Sequence, residues 1–299
     1  MILTMTQQSA RRTPKSDRRI PGWAASLLTR LAREGPPVVT HADLGQMLAE
    51  TGGTRQAETN ARELQRLGWL VPLHVKGAWA FLPPGEDEVT DPYIDLRGWV
   101  ARDPETILAL AGEAAAWHLG YLDRAFGGPT AVWIPDGSRL PHGLRSRFMV
   151  IRLRWQSQEA PLLVPAPRLL HRRHLDLTRW AAGLPAFGPE ALLVQVAARP
   201  SSFRAWADLV SHLEEFTGDC DPQRVIRLLQ QQSASAWQRA AYVLSRGGCR
   251  EAAMEIVRHH PSPASPKAQF GTGQQSAWDG EFNVADHIIA PLQAVLGKA

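Results

Sequence analysis

Cysteine is almost absent. Cys220 and Cys249 are the only two in 299 residues, and neither belongs to a Cys-x-x-Cys pair. That scarcity excludes a disulfide-stapled scaffold, and the expectation is two reduced thiols of a cytosolic protein. Long apolar runs are also missing: nothing approaches the roughly 18–20 residues of a membrane helix. The N-terminal stretch from Met1 to Met5 is too short for a secretion signal, so the sequence predicts a cytoplasmic protein with no membrane partner. There is no Walker-type glycine loop, no Gly-x-Ser-x-Gly elbow and no His-Glu-x-x-His pattern, so neither an enzyme nor a bound cofactor is expected. Lysine is rare as well. Of 33 basic residues only Lys15, Lys76, Lys267 and Lys298 are lysine. Arginine suits two-pronged phosphate contact, although an Ala/Arg/Gly/Pro-rich chain more simply reflects a GC-rich genome.

What is present is a basic excess with an uneven distribution. Residues 1–85 hold 11 Lys/Arg against 6 Asp/Glu, 86–138 hold 3 against 10, 139–179 hold 9 against 2, and 180–299 hold 10 against 11. Two basic zones flank an acidic one, and a polyanion is the natural partner for one or both. With 44% hydrophobic and 21% charged residues the chain can build a core, and its length allows about two domains.

Residues 1–19 carry Arg11, Arg12, Lys15, Arg18 and Arg19 against Asp17 and lack apolar periodicity, which reads as a disordered basic arm. Trp23, Leu27, Leu28 and Leu31 then lie on one helical face, with Pro21 suited to the first turn. Val38-Val39 reads as a short strand. Thr40-x-x-Asp43 resembles a capping box for a second helix with Leu44, Met47 and Leu48 as its apolar face. After the turn 51–53, a third helix is expected from a cap at Thr54 to about Leu67, burying Ala57, Ala61 and Leu64 and ending at Gly68. Two extended runs, 69–74 and 78–82, join through Val75-Lys76-Gly77 as a hairpin. This order is that of a winged helix-turn-helix.

On the third helix the outward residues Arg55, Gln56, Thr59, Asn60, Arg62 and Arg66 are the types a recognition helix needs. Arg pairs with guanine, Asn and Gln with adenine, and Thr touches a thymine methyl or a phosphate. The first-turn residues Arg55, Gln56 and Thr59 are expected at base edges, and Arg62, Arg66, His74 and Lys76 at phosphates. The arm suits a minor groove or a phosphate track. A solvated polar face, or a winged helix that docks a protein and never touches DNA, is the alternative.

Beyond the winged helix (20–85), residues 86–94 read as an acidic linker and 95–299 as one larger domain of mixed α/β character. The fold class expected is α+β. A helix is expected from about 103 to 122, and strands at 130–134, 148–155 and 162–164. From Gly188 the pattern is mainly helical, although a strand is an alternative for 192–197. Ser202 and Asp221 read as N-caps. The stretch 261–278 reads as irregular, with a closing helix from about Val284. The second basic zone includes Arg145, Arg147, Arg152, Arg154, Arg168, Arg172 and Arg173, a second surface for nucleic acid or an acidic protein face, or else scattered solvated cations. His171-x-x-His174 has helical spacing, but no third ligand follows it, so no metal is expected. His118 with Asp123 is a conceivable acid–base pair, though a buried structural histidine is the commoner case.

Four segments in order carry a family resemblance: the stretch ending Arg66-Leu67-Gly68-Trp69-Leu70, the Ala-Ala-Ala-Trp-His-Leu-Gly run at 114–120, the Gly188-Pro189-Glu190-Ala191-Leu192-Leu193 start, and Trp237-Gln238-Arg239-Ala240-Ala241-Tyr242. In these the chain resembles the AbiEi-type antitoxins and transcriptional regulators of abortive-infection systems, its mycobacterial members above all. The resemblance implies a two-gene module whose toxin is a nucleotidyltransferase-like enzyme. The winged helix would repress the operon by binding double-stranded DNA at its own promoter, and the larger domain would neutralise the toxin. No catalytic motif is implied. The long basic arm departs from the family pattern.

Overall fold

The apolar spacing 27, 28, 31 that predicts the first helix is used as expected. Helix α1 (Ala25–Glu34) buries Leu27, Leu28 and Leu31 after a short 3-10 turn at 22–24. The computed structural model describes residues 18–50, 56–154, 163–164, 184–260, 267–273 and 277–297. They divide into two compact units, one made of residues up to 106 with Leu140–Ser146, the other of 107–139 and 147 onward.

In the first unit α1 is followed by β1 (Val38–Thr40), α2 (His41–Glu50), α3 (Ala57–Arg66), β2 (Leu70–Pro72) and β3 (Ala78–Phe81). The Thr40/Asp43 capping box forms. The Thr40 backbone N–H donates to Asp43 Oδ2 at 2.7 Å, and the Asp43 N–H donates back to Thr40 Oγ1 at 3.2 Å. Gly68, at a φ of 79°, closes α3 in the left-handed region, and the next N–H, of Trp69, returns to Leu64 O at 2.9 Å. The strands form an antiparallel sheet in the order β1-β3-β2. β3 is central and buried along its length, whereas β2 ends in Pro72, which an edge strand tolerates because its missing N–H has no ladder position to fill. Leu27, Leu31, Leu44, Ala61, Leu64, Trp69 and Phe81 share one core. Each fully buried large side chain there contributes about 1.5–3 kcal/mol.

This unit runs on past residue 85. Helix α4 (Ile94–Arg102) buries Leu96 and Trp99, packs on β1 and β3, and places the 85/86 and 94/95 boundaries inside the unit rather than at its edge.

In the second unit a mixed five-stranded sheet has the order β6-β5-β4-β8-β7, from β4 (Ala109–Leu110), β5 (Thr130–Trp133), β6 (Phe148–Ile151), β7 (Leu163–Val164) and β8 (Ala186–Phe187). The helix Pro189–Ala198 buries every position from Glu190 to Ala197, which settles the helix-or-strand alternative: a helix apolar on all sides belongs inside its unit. It packs against α5 (Gly112–Leu119), Pro222–Leu229 and Ala234–Arg246. A second sheet, β10-β11-β9, comprises β9 (Ala268–Phe270), β10 (Ala277–Asp279) and β11 (Val284–Asp286).

The α+β class therefore holds, and four local expectations do not. The helix expected over 103–122 is broken, because Ala109 and Leu110 are taken up as a central strand between β5 and β8, and tertiary pairing overrides Ala/Leu helix propensity. Ser202 does not cap the next helix. It ends a 3-10 turn, its Oγ donating to Arg199 O at 2.8 Å, and the helix starts at Trp206. The stretch called irregular contains β9 and β10, and residues 284–286 are a strand, so the closing helix begins at Ile289. Asp221 does cap its helix, accepting from the Gln223 N–H at 2.9 Å. Among the described residues no helix is long and apolar enough to cross a membrane.

Candidate nucleic-acid interface

Helix α3 has two opposed faces. Ala57, Ala61 and Leu64 point into the core, while Thr59, Arg62 and Arg66, spaced 3 and 4, are exposed on the other side, with Gln56 exposed at the N-cap. Arg62 Nη2 lies 2.6 Å from Glu58 Oε1, a surface i,i+4 pair with both side chains mostly exposed. Such a pair is worth about 0.3–0.5 kcal/mol, little enough for a phosphate to displace the glutamate.

Asn60 is the exception. It is 0% exposed and lies on the core face, so its amide cannot reach a base edge, and the adenine-reading role expected of it is withdrawn. The helical arithmetic puts position 60 between 57 and 64, and only its polar side chain suggested otherwise.

The hairpin after α3 carries Lys76, exposed at its turn. His74 behaves differently from the phosphate contact expected. Its backbone N–H donates to Asp95 Oδ1 at 2.8 Å and its Nδ1 sits 2.9 Å from Asp95 Oδ2, so the imidazole pins the hairpin to α4. Asp95, only 4% exposed, is a residue the sequence reading passed over, having assigned it to the start of the second domain.

At the base of the arm Arg18 is engaged within the protein. Its Nη1 donates to Pro83 O at 3.1 Å, its Nη2 to Glu86 O, and its guanidinium lies 5.6 Å from the Trp69 ring centre. The side chain is 17% exposed, so Arg18 anchors the arm rather than contacting a polyanion. Arg19 is exposed, with its carbonyl accepting from Trp69 Nε1 at 3.1 Å. Arg11, Arg12, Lys15 and Arg55 lie outside the described residues, as do Arg168, Arg172, Arg173 and the His171/His174 pair.

Among the described residues the second basic zone is divided between the two units. Arg145 belongs to the first unit and Arg147 to the second. Arg152 donates to Ser138 O at 3.0 Å and to Pro135 O at 3.4 Å, which ties the end of β6 to the loop after β5. Arg154 is exposed, 3.8 Å from Asp136.

His118 and Asp123 sit in different surroundings, the first 1% exposed and the second at the surface. Asp123 meets His212 Nε2 at 3.1 Å, and burial holds the His118 imidazole down to about 4. The buried Glu113 carboxylate accepts from the Arg204 N–H at 2.7 Å, and Gln195 Oε1 from the Gly112 N–H at 2.8 Å, which stitches the start of α5 to the core helices. Cys220 is buried and Cys249 half-buried, and neither is in a disulfide. Among the described residues no group of three or more His, Cys, Asp or Glu could hold a metal ion.

Residues 108–246, most of the second unit's described part, match the family model described as "AbiEi antitoxin C-terminal domain". The whole chain is similar to a crystal structure of the RV2827C protein from Mycobacterium tuberculosis, with 47% identity, a TM-score of 0.86, and coverage of 97% of this chain and 100% of that one. No curated protein matches the chain.

Proposed function

The chain belongs to the AbiEi-type antitoxin family, and from that premise we propose that it is a repressor that binds its own promoter and counters a nucleotidyltransferase-like toxin encoded beside it. One observation carries the DNA-binding part: the exposed row Thr59, Arg62 and Arg66 on α3, with Gln56 at its N-cap, stands in the same unit as a hairpin whose turn exposes Lys76. Gln56 at the N-cap and Thr59 in the first turn are the base-reading side chains of this reading, together with Arg55 just before them. Arg62, Arg66 and Lys76 hold phosphates, and the arm with Arg11, Arg12, Lys15 and Arg19 adds charge along the backbone. The family match over the second unit supports the antitoxin part.

Titrating the full chain with its promoter fragment and with random duplex tests this. At about 50 mM salt both should shift, and the promoter should bind at least about 10³-fold tighter. Arg62→Ala and Arg66→Ala should weaken both probes alike and reduce the salt slope by about one each. No shift of either probe at that salt would leave the rival reading, a winged helix that docks a protein. Co-expression with the neighbouring nucleotidyltransferase-like gene tests the antitoxin part, with restored growth as the expected result.

A further inference from the structure

The turn of the hairpin is held by three separate stretches of chain. From α4, Asp95 accepts from His74, and Arg102 Nη1 donates to Lys76 O at 3.4 Å. From the start of α2, the His41 N–H donates to Gly77 O at 2.9 Å. The third stretch is 140–146, which begins the second basic zone in sequence yet belongs to the first unit. Leu140 and Leu144 are buried, and Pro141 leads into a 3-10 turn at His142–Leu144. Gly143 rests so tightly on the hairpin that a Cβ there would lie 2.1 Å from the His74 carbonyl oxygen, a backbone atom that cannot swing away. Around one pinned turn the fold thus collects the exposed side chains of Lys76, Arg102 and Arg145, which lie as far as 69 positions apart in sequence.

We propose that residues 140–146 complete the wing, so that Arg102 and Arg145 join Lys76 in one composite edge that grips the phosphate backbone of double-stranded DNA. This rests on reading the first unit as a DNA-binding domain. Two guanidinium forks and an ammonium offer charge and paired N–H donors suited to phosphate oxygens, and their place on the wing rather than on α3 sets them beside the groove. Asp95, the acid that bonds the turn, is buried and engaged by His74. Because the turn is already fixed from three elements, little ordering is needed when DNA arrives.

The test uses the full-length chain with Arg102→Gln, Arg145→Gln and the double variant. Binding to the promoter fragment and to random duplex is followed by anisotropy between about 50 and 200 mM salt. Each single variant should weaken both probes by the same factor and lower the slope of log K against log salt by about one, and the double variant by about two. Gly143→Ala, which removes no charge but lifts the segment off His74, should weaken both probes as well. Arg258→Gln, on the other unit, should change nothing. Arg102 and Arg145 variants with unaltered affinity and slope, while Arg62→Ala and Arg66→Ala still lose binding, would sink the composite wing and leave the DNA-binding reading standing. Loss on the promoter alone would overturn the phosphate assignment. Wild-type protein binding neither probe would end both.

Discussion

At position 60 an amide stands on the same buried face as Ala57, Ala61 and Leu64, and neither its Nδ2 nor its Oδ1 has a hydrogen-bond partner among the described residues. A buried polar group left in that state costs about 1–3 kcal/mol. Asn60→Leu, close in shape and apolar, should therefore raise stability by about 1 kcal/mol, seen as a higher urea midpoint with DNA affinity unchanged. Lost DNA binding in a variant that folds normally would return Asn60 to the interface. The residue types of a recognition helix were legible in the sequence, because Gln, Thr and Arg at 3- and 4-residue spacing need no tertiary information. Which of them is buried was not legible for Asn60, since a polar side chain on an apolar face contradicts the pattern being read. Arg18 misled for a related reason: a cation in a charge-rich arm looks free until the carbonyls that bind it are in place.

Among elements, the helix–hairpin order from 25 to 81 was readable because each piece is local: a capping box, a glycine stop, a short turn between extended runs. Helix α4 was missed although its signal is there, in Tyr93, Leu96 and Trp99 at three-residue spacing. The neighbouring acidic residues and prolines drew the boundary to 86–94 instead. Its contribution is the Asp95 clasp, in which two hydrogen bonds are made to one buried carboxylate. Asp95→Ala removes both and leaves the His74 N–H without its acceptor. It should lower stability by about 2 kcal/mol, measured by chemical denaturation, and Asp95→Asn should recover part of the loss. An unchanged midpoint in Asp95→Ala would show that the clasp holds nothing. The helix expected over 103–122 failed in the opposite sense: local propensity was right for 112–119 and was overridden at 109–110 by strands 20 and 76 residues further along.

At the scale of the whole molecule the two units carry different liabilities. The first exposes Arg62, Arg66 and Lys76, whose interactions salt screens. The second buries His118, 1% exposed, whose imidazole burial alone pulls from 6.5 to about 4. A base with a lowered folded pKa binds its proton more readily when unfolded. Its contribution is complete above pH 6.5 and is lost as pH falls toward 4. The loss should reach up to about 3 kcal/mol, read from the unfolding of the second unit between those pH values. His118→Gln should flatten that profile, and an identical pH dependence in the variant would refute the assignment.

The sequence by itself determined the helices and hairpin of the first unit and the residue types on α3, because periodicity, caps and turn glycines act over a few residues. It also carried, in four ordered segments, the family resemblance, and three of the four lie inside the range 108–246 that the family model matches. Only the tertiary structure decided that α4 and residues 140–146 belong with the hairpin, that Asn60 faces inward, and that Ala109 and Leu110 are strand. Each of those outcomes depends on groups meeting across tens of residues, where burial and backbone pairing outweigh any preference a short stretch holds alone.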